Sequence, residues 1–296
     1  MATTTNNDIE IYYEALGNPD DPTVLLVSGL GTQSIGYDDE FCEEFLGLGL
    51  QVLRFDNRDV GLSTHVRPAG PAGGGAGDFG EALGAAIAGD EIQSDYRLTD
   101  MAADAIAVLD AANVESAHIW GASMGGMIAQ TIVIEHPSRS RSLTSVMSTT
   151  GEAEYGIPDP DCVAGLMSIM EPSETREARI ESGVELQRLI GTKRGWDEER
   201  VRTRTTLAVD RAYDPGGVSR QMMAILASGS RADGLAALRL PTSVMHGDKD
   251  PLVNPSGGVR TAELIPNSEL RTMDGMGHDL PPEYWGEMVT AFKELL

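Results

Sequence analysis

The chain has 296 residues, 41% hydrophobic and 23% charged, enough to bury the core of one large domain. A formal net charge of −24 excludes nucleic acid as a partner and disfavours anionic membrane surfaces. No run of about 18 apolar residues occurs, so no membrane-spanning helix is expected. Cys42 and Cys162 lie in unrelated segments and imply no disulfide framework.

In chain order, the first eight residues have neither a basic start nor an apolar stretch. The expectation is a cytoplasmic protein without a secretory signal. Residues 9–15 alternate and read as an edge strand. Residues 23–28 form a continuous apolar run, as in a strand covered on both faces. A helix over 38–48 and a strand over 51–55 follow. Residues 68–80, rich in Pro, Gly and Ala, read as a flexible loop near a site mouth or a surface excursion. A helix over 98–112, a strand over 117–120, a helix over 124–135 and a strand over 142–147 come next. Residues 152–230 lack strand signals but hold helical stretches such as 174–189 and 197–208. Strands over 242–246 and 269–273, with helices over 256–264 and 282–295, complete the chain. Strands alternating with helices predict an α/β fold with a mostly parallel sheet. Only Lys193, Lys249 and Lys293 are lysines, so 19 of the 22 basic residues are arginine. That composition fits a saline habitat or a GC-rich genome.

The most specific signal is Gly121-Ala122-Ser123-Met124-Gly125, at a strand-to-helix corner. It matches a nucleophile elbow, in which small neighbours let a serine hydroxyl stand exposed at a tight turn. The N–H of the residue after the serine, Met124, is then one donor to a developing oxyanion. A serine needs a base. Of five histidines, His118 lies inside a strand, His136 ends a helix, His65 lies in a loop and His246 at a strand end. His278, on a Gly-flanked loop near the C-terminus, is the candidate. Asp248 and Asp250, in a loop after the 242–246 strand, are both candidates for the carboxylate that orients the imidazole. No metal-ligand spacing is present, and neither metal nor cofactor is expected. The Met pairs 167/170 and 222/223 read as helix core or as pocket lining. Arg58 and Asp59, in a strand-exit loop, read as substrate contacts or as a structural ion-pair segment.

Five stretches carry a resemblance: Leu-Leu-Val-Ser-Gly-Leu-Gly over 25–31, Arg-Phe-Asp-Asn-Arg-Asp-Val-Gly-Leu-Ser over 54–63, Trp-Gly-Ala-Ser-Met-Gly-Gly over 120–126, His-Gly-Asp-Lys-Asp-Pro over 246–251 and Gly-Met-Gly-His-Asp-Leu-Pro over 275–281. With these the chain resembles α/β-hydrolase-fold serine esterases, more narrowly the aclacinomycin methylesterase group. The resemblance implies a sheet flanked by helices, with a core of residues 1–151 and 231–296 and a helical cap over 152–230. It implies Asp250 as the triad acid, by the Gly-x-x-Asp loop; Asp248 then reads as a turn residue bonded to local backbone, and Asp279, adjacent to His278, as part of the Pro281 turn. For Arg58 and Asp59 it implies the structural ion-pair role. It implies the Leu30 N–H as the second oxyanion donor, and it departs from the family in having Ser28 where many relatives have histidine. The implied activity is cleavage of a small-molecule carboxylic ester through an acyl-enzyme on Ser123, His278 and Asp250. A lactonase or cofactor-free perhydrolase is the alternative on the same residues, and a non-catalytic ligand-binding protein the alternative of another class. The acyl chain and the oligomeric state, including a homo-oligomer, stay open.

Overall fold

A computed structural model describes residues 2–66 and 76–296. Among them, eight strands form one sheet in the order β1-β2-β4-β3-β5-β6-β7-β8. The strands are β1 (Ala2–Asn6), β2 (Ile9–Leu16), β3 (Thr23–Val27), β4 (Gln51–Phe55), β5 (Ala117–Ala122), β6 (Ser140–Val146), β7 (Thr242–Gly247) and β8 (Glu269–Met273). β1/β2 and β2/β4 pair antiparallel; all later pairs are parallel. The expected α/β architecture is thus present, with one change at its margin. Residues 9–15 are not the edge, because the polar Thr-rich β1 lies outside them.

The helices are α1 (Asp39–Leu46), α2 (Ala76–Ala88), α3 (Leu98–Ala111), α4 (Met124–Glu135), α5 (Pro160–Met170), α6 (Arg176–Ile190), α7 (Glu198–Arg211), α8 (Pro215–Ser228), α9 (Ala232–Ala237), α10 (Ser256–Leu264) and α11 (Pro282–Lys293). Part of the stretch read as a loop is helical. α2 begins at Ala76, where alanine content outweighs the interspersed glycines, and it packs against α8. Residues 68–75 of that stretch lie outside the described residues.

β3, β4 and β5 are buried along their whole length, and in β3 this is written as a continuous apolar run. On one face of the sheet, Leu98, Met101, Ile128 and Ile132 of α3 and α4 cover Leu25, Leu53 and Ile119. On the other, Phe41 and Phe45 of α1 meet Trp120 and, from α11, Trp285 and Phe292. The Phe41–Phe45 and Phe45–Phe292 rings stand edge to face at 5.1 Å. Each such side chain contributes about 1.5–3 kcal/mol relative to exposure.

α5 to α8 form a helical insertion between β6 and β7, with a separate apolar cluster that includes Leu166, Leu186, Ile190 and Met222. The insertion starts and ends at one place. A Cβ on Gly151 would lie 2.3 Å from the Gly229 carbonyl oxygen, and the Arg231 N–H donates to Thr150 O at 2.8 Å. α7 has no fully buried residue; it is joined to α6 by pairs such as Arg176–Asp210 and Arg202–Glu181.

Candidate active site

The parallel register sets the loops that leave β3, β4, β5, β7 and β8 along one edge of the sheet, where open α/β sheets collect their functional groups. Ser123 joins β5 to α4 with φ 57° and ψ −124°, a conformation that costs a non-glycine residue about 1–3 kcal/mol. The surroundings enforce it. A Cβ on Gly121 would lie 2.1 Å from the Gly125 carbonyl oxygen, and one on Gly125 would lie 2.0 Å from that of Val27. Only glycine permits this approach of helix to strand. The Ser123 N–H donates to Val146 O at 2.9 Å, and Ser148 Oγ donates to Ser123 O at 2.8 Å.

His278 Nε2 lies 2.9 Å from Ser123 Oγ, and His278 Nδ1 lies 2.7 Å from Asp250 Oδ2. Of the two aspartates left open by the residues alone, Asp250 is therefore the one brought to the imidazole. It is 3% exposed, and its Oδ1 accepts the N–H groups of Leu252 and Val253, each at 2.9 Å. Burial alone would raise its pKa; the imidazoles of His278 and His246 outweigh that and hold the carboxyl well below its usual range.

Asp248 bonds to backbone, both its own and that of a distant loop. Its Oδ1 accepts the Gly275 N–H at 2.6 Å, and so ties the β7 loop to the loop that carries His278. Asp279 points away from the imidazole and accepts both the N–H and the hydroxyl of Thr192, at 3.0 and 2.6 Å. Ser28 Oγ reaches Gln33 O at only 3.5 Å, the limit of a hydrogen bond. A Cβ on Gly29 would lie 3.3 Å from Ser123 Cβ, so the 28–31 loop lies against the serine. Among the described residues, the N–H groups of Leu30 and Met124 donate to no protein acceptor.

The remaining histidines separate by environment. His118 is buried, bonds Ser142 Oγ at 2.8 Å, and is pushed down to about 4 by burial and then by Arg141. His136 caps α4. His65 Nδ1 meets Asp214 Oδ2 at 2.9 Å and Nε2 meets Gly61 O at 3.1 Å, an arrangement that suits the doubly protonated ring. His246, set aside in the sequence as a strand-end residue, also reaches the acid. Its Nε2 lies 2.8 Å from Val253 O and 3.2 Å from Asp250 Oδ2. The spacing of four residues between His246 and Asp250 was the one available signal. Arg58 and Asp59 do form buried ion pairs. Arg58 Nε lies 2.6 Å from Asp104, and Asp59 takes Arg220 at 2.7 Å and the Tyr96 hydroxyl at 2.6 Å. Asp59, His65 and Asp214 could together offer metal ligands, but Arg220 already bonds both carboxylates.

A cavity of about 2280 Å³ opens above Ser123 and His278. Its walls include Leu30 and Met127 from the sheet side and Val163, Ile169, Val218 and Met222 from the insertion. Chemically, a hydroxyl bonded to an imidazole bonded to a carboxylate can move a proton off Ser123 Oγ, and two free N–H groups beside it can stabilise an anion. Among the described residues no helix is long and apolar enough to cross a membrane.

A family model described as the alpha/beta hydrolase fold matches residues 22–283. The rhodomycin D methylesterase DnrP of Streptomyces peucetius is 28% identical, with 94% of this chain and 91% of that protein covered. Among solved structures, an enol-lactonase from Burkholderia xenovorans superposes with a TM-score of 0.73 at 18% identity, covering 99% of both chains. A bromoperoxidase from Bacillus anthracis gives 0.76 at 19% identity, covering 99% of this chain and 98% of that one.

Proposed function

Because the chain belongs to the alpha/beta hydrolase fold family, we propose that it is a serine carboxylesterase acting through an acyl-enzyme on Ser123. The observation that carries this reading is the unbroken relay from Ser123 Oγ through both nitrogens of His278 to Asp250 Oδ2, at 2.9 and 2.7 Å. Ser123 Oγ attacks the ester carbonyl carbon while His278 Nε2 takes its proton, and Asp250 stabilises the imidazolium. The Leu30 and Met124 N–H groups receive the oxyanion. As the tetrahedral species collapses, the C–O bond breaks and His278 protonates the departing alcohol. A water then gives its proton to His278 and attacks the acyl carbonyl; the acyl–Oγ bond breaks, His278 returns the proton to Ser123 Oγ, and the acid leaves.

In this reading residues 152–230 are a cap that excludes water and shapes the substrate pocket, and residues 1–151 and 231–296 are the core. The adjacent ends of the insertion and its own apolar cluster support the division. A methyl ester of a bulky acid is the substrate reading favoured here. A cavity of about 2280 Å³ exceeds the roughly 300–1,000 Å³ of ordinary ligand sites, and a related protein is named a rhodomycin D methylesterase.

Ser123→Ala is expected to fold and to lose at least ~10³-fold in kcat on p-nitrophenyl esters. A serine-directed phosphonate is expected to label the native protein at Ser123 alone. Labelling elsewhere, or full activity in the variant, sinks the assignment. A panel of methyl esters, lactones and acyl-chain lengths separates an esterase from a lactonase. No turnover on any of them, with binding retained, points to a ligand-binding protein.

A further inference from the structure

We propose that Gln221 of α8 is a positioning residue for ester cleavage, fixing the loop that presents the Leu30 N–H to the developing oxyanion. This rests on the reading of Ser123 as the nucleophile. Gln221 is wholly buried, with 0% exposure. Its Oε1 accepts the Gly31 N–H at 2.8 Å, and its Nε2 donates to Arg58 O at 2.7 Å. The amide can stand only one way round, because a flip would set like against like at both ends.

Gly31 follows Leu30 directly and holds φ +65°. Fixing the Gly31 N–H fixes the peptide plane on the C-terminal side of Leu30; the Leu30 N–H lies in the preceding plane, whose Gly29 carbonyl accepts the Thr32 N–H at 3.1 Å, so both planes that flank Leu30 are held. The loop is held further by Thr32 Oγ1 donating to Leu30 O at 3.3 Å, by Asn57 Nδ2 donating to Ser28 O at 3.0 Å and by the weak Ser28 contact.

The other end of the clasp is rigid. Arg58 is held by Asp104 of α3, which is 1% exposed, through bonds of 2.6 and 2.8 Å. α8 is seated on the same loops. Arg220 grips Asp59 at 2.7 and 3.0 Å, a Cβ on Gly217 would lie 2.2 Å from Asp59 O, and Val218 packs over Gly31. Gln33 at the far end of the loop is tied to α7. Its Nε2 donates to Ala208 O at 2.8 Å and Ala212 O at 3.1 Å, and its Oε1 accepts from Arg211 at 2.7 Å. The insertion therefore holds the anion-binding loop as well as roofing the cavity. Such donors act by being oriented before charge develops, so a loosened loop must be ordered during the reaction.

The test uses the full chain with Gln221→Met, which keeps length and removes both bonds. kcat and KM are measured on p-nitrophenyl acetate. Inhibition is measured with a trifluoromethyl ketone, which forms a tetrahedral oxyanion on Ser123, and with the unreactive methyl ketone of the same shape. The expected result is a kcat lower by about 10–100-fold with KM within about 2-fold. Trifluoromethyl ketone affinity falls in parallel, methyl ketone affinity is unchanged, and the Gly31 amide exchanges faster. A folded variant with native kcat and ketone affinity, or a loss carried wholly by KM, overturns the proposal. Should Gln221→Met not fold, Gln221→Asn stays neutral and polar but, one methylene shorter, cannot reach the Gly31 N–H and Arg58 O together. A parallel fall of about 3–10-fold in kcat and ketone affinity sustains the proposal; unchanged values overturn it. Ser123→Ala measured alongside separates two failures. An inactive, unlabelled native chain defeats the reading of Ser123, whereas an active native chain with unaltered Gln221 variants defeats only the role of Gln221.

Discussion

Asp250 spends its two oxygens differently, and this decides what a neutral isostere does there. Oδ1 takes two backbone N–H groups and Oδ2 takes two imidazoles. In Asp250→Asn the carbonyl oxygen must stay with the backbone donors, so the NH₂ turns on His278 Nδ1. The imidazole then carries its proton on Nε2 and cannot accept one from Ser123. The expected loss is up to ~10⁴-fold in kcat. Asp248→Asn keeps an acceptor for Gly275 and is expected to cost less than about 10-fold. The reverse ranking would show that the acid has been misplaced. His65 offers a pH signature of a different kind. The Asp214 carboxylate raises its pKa, against burial and with help from Gly61 O, and His65 in turn holds Asp214 down at about 2. A raised pKa contributes stability that is fully present below the unfolded value of 6.5 and is lost as pH rises through the folded value. Both groups are charged between the unfolded aspartate value of 3.8 and that of histidine. The pair is partly exposed and, discounted for screening, is worth under ~1 kcal/mol. His65→Ala should lower Tm by roughly 2 °C more at pH 5.5 than at pH 9, and an equal effect at both would refute the pairing. Ser123 and His278 were legible because a tight turn and a Gly-flanked loop leave local marks. Gln221 was not, since its two partners lie 163 and 190 residues away.

Among the elements, those that read poorly are those whose reasons are tertiary. α8 opens with Pro215-Gly216-Gly217, a loop-like start, yet Gly217 is required by the closeness of Asp59 O. β1 is all polar after Ala2 and gains its strand character only by pairing with β2. α2 was hidden by glycines in an alanine-rich run. β3 and α4 stood out because a continuous apolar run and a small-residue corner are written in consecutive residues. The insertion as a helical segment was legible from its lack of strand runs; its grip on the loop after β3 was not. Size selection and loop positioning should still be separable within it. Ile169 of α5 lines the cavity, is half-buried, and lies on a different helix from Gln221. Ile169→Trp should cut kcat/KM for long-chain esters by ~10-fold or more while leaving p-nitrophenyl acetate within about 2-fold, since each methylene contact is worth ~1–3 kcal/mol. An unchanged chain-length profile would remove α5 from the specificity wall.

At the scale of the whole molecule, a net charge of −24 coexists with arginines that are often engaged. Arg54 joins Glu14 and Asp39, Arg211 joins Asp56, and Arg260 joins Glu152. The planar guanidinium suits such half-buried, forked pairings better than lysine does. The three apolar clusters divide the fold in the same way as the chain does: two clasp the sheet and the third belongs mainly to α5, α6 and α8. The closed neck of the insertion, where Gly151 meets Gly229 and β6 pairs with β7, makes the molecule a candidate for fragment complementation. A cut after the exposed Arg194 would leave Leu30 and Ser123 on one polypeptide and Gln221, Asp250 and His278 on the other. No covalent link would then join nucleophile to base, and the β6–β7 ladder and the buried sheet faces would have to hold them together. The nicked protein should run as a single particle in size-exclusion chromatography and still take phosphonate at Ser123; separate peaks, or a silent serine, would show the contrary. Its labelling rate would then titrate with dilution and denaturant, turning a phosphonate-labelled serine into a gauge of how tightly two halves of one fold recognise each other.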